Sequence, residues 1–214
     1  MDYTGKKISV LGDSISTFQG ITVDDPNTFY GSVMCRKGGF RDVNDTWWMR
    51  VISGLGGVFE RDNAFAGSCV TDGYGLGRGM NSWERVGALG DPDVIMIFGG
   101  ANDLGFGVKE GEFRAAYTLL LARLGERYPE AEIFCGTLIN GRKVLDDEPY
   151  FMGEEPGKEL EPFSTVIREC AAAAGAHIVD MAASGLVYDT IDGCHPTAGG
   201  MAQLAELWLA AMRG

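Results

Sequence analysis

Asp91-Pro92-Asp93-Val94-Ile95-Met96-Ile97-Phe98-Gly99-Gly100 decides the architecture of this 214-residue chain. A turn-forming Asp-Pro-Asp launches five consecutive apolar residues, and a Gly-Gly pair stops them. An unbroken apolar run of that length, with no polar alternation, marks a strand buried on both faces. Shorter β-branched or apolar runs occur at Ile8–Leu11, Ile133–Gly136 and His177–Asp180, and Val58–Ala64 can form a further strand. Between them lie stretches of helical period: Thr46–Leu55, Glu110–Tyr128, Pro162–Ala174 and Pro196–Met212. The last two place a proline near the first turn, where the missing N–H costs nothing. Strand–helix alternation implies right-handed βαβ units and a parallel sheet covered on both faces. The expectation is α/β: one domain over residues 1–214, a three-layer α/β/α sandwich with a mainly five-stranded parallel sheet.

Composition narrows the function. The chain has 30 acidic and 18 basic residues, a formal net charge of -12, and 45% hydrophobic residues. That balance repels nucleic acid and anionic membranes, so neither is an expected partner. Five unclustered cysteines, Cys35, Cys69, Cys135, Cys170 and Cys194, argue against a disulfide framework and a zinc site. The polar stretch Met1–Lys7 precedes an apolar run too short for a signal peptide, and no segment approaches membrane-spanning length. The expected compartment is the cytoplasm. With two histidines, His177 and His195, imidazole chemistry has few places to reside.

The strand ends carry the reactive side chains. Gly12-Asp13-Ser14 follows the first strand, Asn63-Ala64-Phe65-Ala66-Gly67-Ser68 the second, and Gly99-Gly100-Ala101-Asn102-Asp103 the third. Asp192-Gly193-Cys194-His195-Pro196 sets a carboxylate three residues before an imidazole. Each fragment alone passes as a turn, but their conjunction at strand ends does not. Imidazole titrates near neutral pH, so His195 suits the role of base to a Ser14 nucleophile, with Asp192 holding its tautomer.

In these blocks the sequence resembles the SGNH hydrolase superfamily, the GDSL-type esterases, lipases and acylhydrolases, over essentially its whole length. The resemblance implies the flavodoxin-like SGNH fold. It maps the four marker residues onto Ser14, Gly67, Asn102 and His195, with Asp192 as the acid. Gly67 departs from the usual Asn-x-Gly-x-x-Gly spacing. Thr46-Trp47-Trp48 and Asn63–Ser68 also look like a bacterial subgroup with a long loop after its first block.

The implied reaction is ester hydrolysis through an acyl-Ser14 intermediate. The Ser14 and Gly67 N–H groups and the Asn102 amide would stabilise the oxyanion, each donor worth roughly 10²–10³ in rate. No cofactor or metal is required, and the expected partner is a small-molecule ester of a short acyl group, such as an acetylated carbohydrate. A lysophospholipase or acyl-thioesterase is the enzyme alternative, and a nucleotide-binding module the non-enzyme one. The oligomeric state is left open.

Other residues receive plainer expectations. Asp13 and Asp103 should support the site by bonding loop backbone, with Asp13 the alternative acid. His177 and Cys194 should be structural. Of Trp47 and Trp48, adjacent on a helix, one should be core and the other can reach the cleft. The run Gly73–Gly79 fits neither a P-loop nor GxGxxG and reads as a mobile loop near the site. The long excursions Ser16–Asp45 and Asn140–Gly157 should border the ligand crevice.

Overall fold

The computed structural model describes residues 1–22, 27–149 and 160–214. Five strands form one parallel sheet: β1 (Lys7–Gly12), β2 (Val58–Ala64), β3 (Val94–Phe98), β4 (Glu132–Gly136) and β6 (His177–Val179), ordered β2-β1-β3-β4-β6. All five anticipated strands are present, and the α/β architecture is the one expected.

Side-chain alternation along the strands builds the two outer layers. Ile8 and Val10 of β1, Val94, Met96 and Phe98 of β3, and Phe134 of β4 face one core. Leu11, Ile95, Ile97 and Cys135 face the other. The first core is closed by α2 (Trp47–Gly54) and α7 (Ala198–Arg213), the second by α5 (Glu110–Arg127) and α6 (Leu160–Ala174). A sheet covered twice explains why β1 and β3, in its middle, read as nearly continuous apolar runs, while the edge strand β2 carries charged residues.

Two local readings are corrected, and one element is new. Trp47 and Trp48 are both fully buried, so neither reaches the cleft. Trp47 stacks on Trp208 at 4.7 Å and Trp48 on Phe59 at 5.2 Å, while their indole N–H groups donate to Ser16 Oγ and Ser16 O. Two aromatic neighbours with a nearby acceptor each make burial favourable on both faces of the helix. Of the two prolines, only Pro196 sits differently. Pro162 is the third residue of α6, still within the turn whose N–H groups need no partner. Pro196 lies ahead of the cap of α7, where Thr197 accepts from Gly200 N. A second, two-stranded sheet pairs β5 (Gly141–Lys143) with β7 (Tyr188–Thr190), an element not anticipated.

His177 opens β6 at the amino end of the sheet, stacked on Phe134 at 4.5 Å and 3.7 Å from Glu132. Among the described residues, no helix is long and apolar enough to cross a membrane.

Candidate active site

Strand order reverses between β1 and β3, so their chains leave the sheet in opposite directions and open a crevice at the carboxyl edge. Gly12 pairs with Phe98 on one side and Ala64 on the other, bringing the three strand-end motifs together. Past Gly12, Asp13 caps a short 3-10 turn over Ser14–Ser16 by accepting from Ile15 N at 3.0 Å. Ser14 projects from that turn. The last block arrives through β7 and is folded on itself: Thr190 Oγ1 accepts from Gly193 N at 2.8 Å, and His195 O from Ile191 N at 2.8 Å.

Ser14 Oγ lies 2.8 Å from His195 Nε2, and His195 Nδ1 lies 2.7 Å from Asp192 Oδ2. The other oxygen, Asp192 Oδ1, accepts from Cys194 N and His195 N at 3.1 and 2.9 Å. Burial raises the pKa of Asp192, but hydrogen bonds from the His195 ring and from these two N–H groups outweigh it, leaving the carboxyl below its ordinary range. A charged Asp192 fixes the proton of His195 on Nδ1 and leaves the Nε2 lone pair toward Ser14. Asp13 is not the carboxylate on the imidazole.

Three N–H donors line the same groove: those of Ser14, Gly67 and the Asn102 amide. Gly67 has φ +79°, and a Cβ there would lie 2.9 Å from Leu76 Cδ1, so a side chain would be strained and obstructed. Asn102 lies in α4 (Ala101–Gly105), where Nδ2 donates to Ser68 O at 3.0 Å, using one of its two N–H bonds. The Ser14 and Gly67 N–H groups have no acceptor among the described residues.

Buried carboxyls brace these segments. Asp103 accepts from Val70 N and Thr71 N at 2.7 and 3.0 Å, tying the residue beside Asn102 to the stretch after Gly67. Burial raises its pKa against those bonds. Asp13 is pushed up to about 7 by burial, with the nearby Asp103 adding to the shift and the Ile15 N–H and Arg85 opposing it. Asp62 on β2, also held near 7 by burial, accepts from Thr22 Oγ1 at 2.8 Å and so anchors the Ser16–Asp45 excursion.

These raised values fix a sign. The folded state keeps a proton at Asp62 that the unfolded chain has released, so stability falls as pH rises from about 4 to about 7. Replacing Asp62 with Asn should make the fall of Tm across that interval shallower. Thermal melts at several pH values read this directly, and an unchanged slope would contradict the assignment.

Both excursions reach the carboxyl edge. From Ser16–Asp45, whose residues 23–26 lie outside the described ones, Phe29 stacks on the His195 ring at 3.5 Å and 10°. Tyr30 Oη donates to Pro196 O at 2.9 Å. Asn140 and Gly141 of the second excursion line a small cavity at the same edge, and Glu148 pairs with Lys37. The part of that excursion beyond 149 is outside the described residues. The Gly73–Gly79 run is near the site, as expected, yet it is pinned. Leu76 N donates to Gly67 O at 2.9 Å, Ser68 bridges Gly75, and Gly79 N donates to Asp72 Oδ1.

Ser14, Gly67, Asn102 and His195 therefore line one open groove of about 400 Å³ with Phe29, Leu76 and Phe106. The sequence carried no signal for Phe29, which comes from a loop, or for Leu76 and Phe106, which stay exposed.

Residues 6–144 match the family GDSL-like Lipase/Acylhydrolase, and the chain belongs to that family. It is a hydrolase of ester bonds with the SGNH hydrolase fold. Among solved structures, a protein of Bacteroides uniformis assigned as a GDSL-like lipase is 28% identical, with TM-score 0.72, over 98% of this chain and 97% of that one. One from Bacteroides ovatus, with the same assignment, is 25% identical with TM-score 0.69, over 98% and 99%. An acetyl xylan esterase of Geobacillus stearothermophilus shares the fold at 21% identity and TM-score 0.61, over 98% and 95%. No curated protein matches the sequence. The nucleotide-binding alternative is thereby set aside.

Proposed function

We propose that the chain is a serine esterase in which Ser14 is the nucleophile, His195 the general base and Asp192 its orienting acid. The observation that carries this reading is the continuous chain from Ser14 Oγ through both His195 ring nitrogens to Asp192, at 2.8 and 2.7 Å. As Ser14 Oγ bonds to the ester carbonyl carbon, its proton passes to His195 Nε2. The imidazolium that forms faces the ionised Asp192. The carbonyl oxygen becomes an oxyanion, received by the Ser14 and Gly67 N–H groups and the free N–H of Asn102. Collapse breaks the bond to the alcohol, which leaves with the proton from Nε2. Water, deprotonated by the same nitrogen, then releases the acid and regenerates Ser14. Asp13 and Asp103 act as braces for the segments that carry these groups.

The substrate is a small ester with a short acyl group, and an acetylated carbohydrate suits it best. Supporting this, the mostly apolar cavity bordered by Asp13, Ile15, Leu138, Ile139 and Cys194 offers about 20 Å³, room for one small group. The shared fold of the acetyl xylan esterase points the same way. A longer acyl chain, as in a lysophospholipase, is favoured by one observation: Leu76 and Phe106 are exposed beside Ser14. Activated esters of two to twelve carbons separate the two readings. We expect kcat/KM to be highest at two to four carbons, and a preference for eight or more would overturn the short-acyl assignment.

A further inference from the structure

Arg85 lies in the short helix α3 (Trp83–Val86) with 5% of its surface exposed. A guanidinium has five N–H groups in a rigid planar fork, and here each is used. Nε donates to Asn63 Oδ1 at 2.9 Å. Nη1 donates to Ser68 Oγ at 2.8 Å and Arg78 O at 3.0 Å. Nη2 donates to Gly12 O at 3.0 Å and Asn63 O at 2.8 Å. Asn63 Nδ2 returns a bond to Arg85 O at 2.8 Å. These five acceptors are carbonyls, an amide and a hydroxyl. The guanidinium also opposes the upward pKa shifts of both Asp13 and Asp62.

Four of the five acceptors, those of Gly12, Asn63 and Ser68, belong to the segments that carry the Ser14 and Gly67 N–H groups and that receive the Asn102 amide. Gly12 immediately precedes Asp13-Ser14. Asn63 leads into the turn that ends at Gly67. Ser68 follows Gly67, and its own carbonyl receives Asn102 Nδ2. A single planar group therefore fixes where the Ser14 N–H, the Gly67 N–H and the Asn102 amide stand relative to one another. Lysine could supply the charge but not five fixed directions. We propose that Arg85 is the positioning residue of the oxyanion hole, acting through Gly12, Asn63 and Ser68. The inference rests on the reading of Ser14 as nucleophile.

Donors aimed at a developing charge lose most of their value when displaced by about 1 Å, which costs on the order of 10²-fold. In Arg85→Lys we expect kcat on an activated acetate ester to fall by about 10–100-fold while KM stays near wild type. Affinity for an arylboronic acid, which forms a tetrahedral adduct on a catalytic serine, should fall by a similar factor. Ser68→Ala, which deletes one acceptor and keeps Arg85, should move both readouts the same way by a smaller factor.

A folded Arg85→Lys with wild-type kcat and boronate affinity, and only a lowered Tm, would overturn the proposal. If the Arg85 variant does not fold, Ser68→Ala decides alone, and unchanged readouts there overturn it equally. Wild-type protein that does not bind the boronate would instead overturn the nucleophile reading, and this inference with it.

Discussion

Ser14→Ala should lower kcat for an activated acetate ester by about 10⁴–10⁶-fold, with KM changed only modestly. The reason is that no other group replaces the Oγ, which sits 2.8 Å from His195 Nε2 and, in the proposed mechanism, is the one atom that forms the acyl bond. What remains should be the small acceleration that the oxyanion donors give to direct attack by water. His195→Ala should fall to a similar floor, because a serine hydroxyl without its base is a poor nucleophile. A serine-directed phosphonate gives a second readout: it should add one equivalent to the wild-type protein, at Ser14, and none to Ser14→Ala. Normal turnover by Ser14→Ala would refute the mechanism outright.

Asp192→Asn is the second large effect, expected at about 10⁴-fold in kcat. The change is nearly isosteric, and the remaining carbonyl can still accept from Cys194 N or His195 N. What is lost is the charge and the preference for a proton on Nδ1. The asparagine amide can donate to Nδ1, which moves the imidazole proton to Nε2 and removes the lone pair that Ser14 needs. KM should hardly move, since Asp192 does not line the groove. A variant retaining a tenth or more of wild-type kcat would show that Asp192 is not the orienting acid. Steady-state kinetics on the purified, folded variant settles the matter.

The parts of the fold that were legible in the sequence are those set by two-sided burial. Val94–Phe98 could only be a central strand, because each of its side chains meets one of the two cores. The β5–β7 sheet escaped notice because each strand has three residues and one is Gly-Arg-Lys, which has no pattern of burial to read. Trp47 and Trp48 depart from a rule that holds where a helix has one buried face. Here the helix is covered on both sides, by Trp208 and by Phe59.

The site divides in the same manner. Ser14, Asn102, Asp192 and His195 lie in compact blocks at strand ends, so composition and spacing expose them. Arg85 does not, because its partners are mostly backbone carbonyls contributed by Gly12, Asn63 and Arg78, positions with no common sequence mark. Phe29 is hidden for a related reason. Its contact with His195 depends on how a long excursion returns to the sheet, which no local pattern records.

The reacting pair joins side chains 181 positions apart. Ser14 sits in the turn just past the first strand of the sheet, whereas His195 is delivered just ahead of the final helix, which docks through Trp208 against Trp47. A polypeptide severed anywhere between them holds a hydroxyl on one piece and its base on the other. On the proposed mechanism neither piece has a competent pair, and turnover should return only when the two associate. The molecule would then act as a split reporter, whose catalytic output measures whether its own beginning and end have found each other.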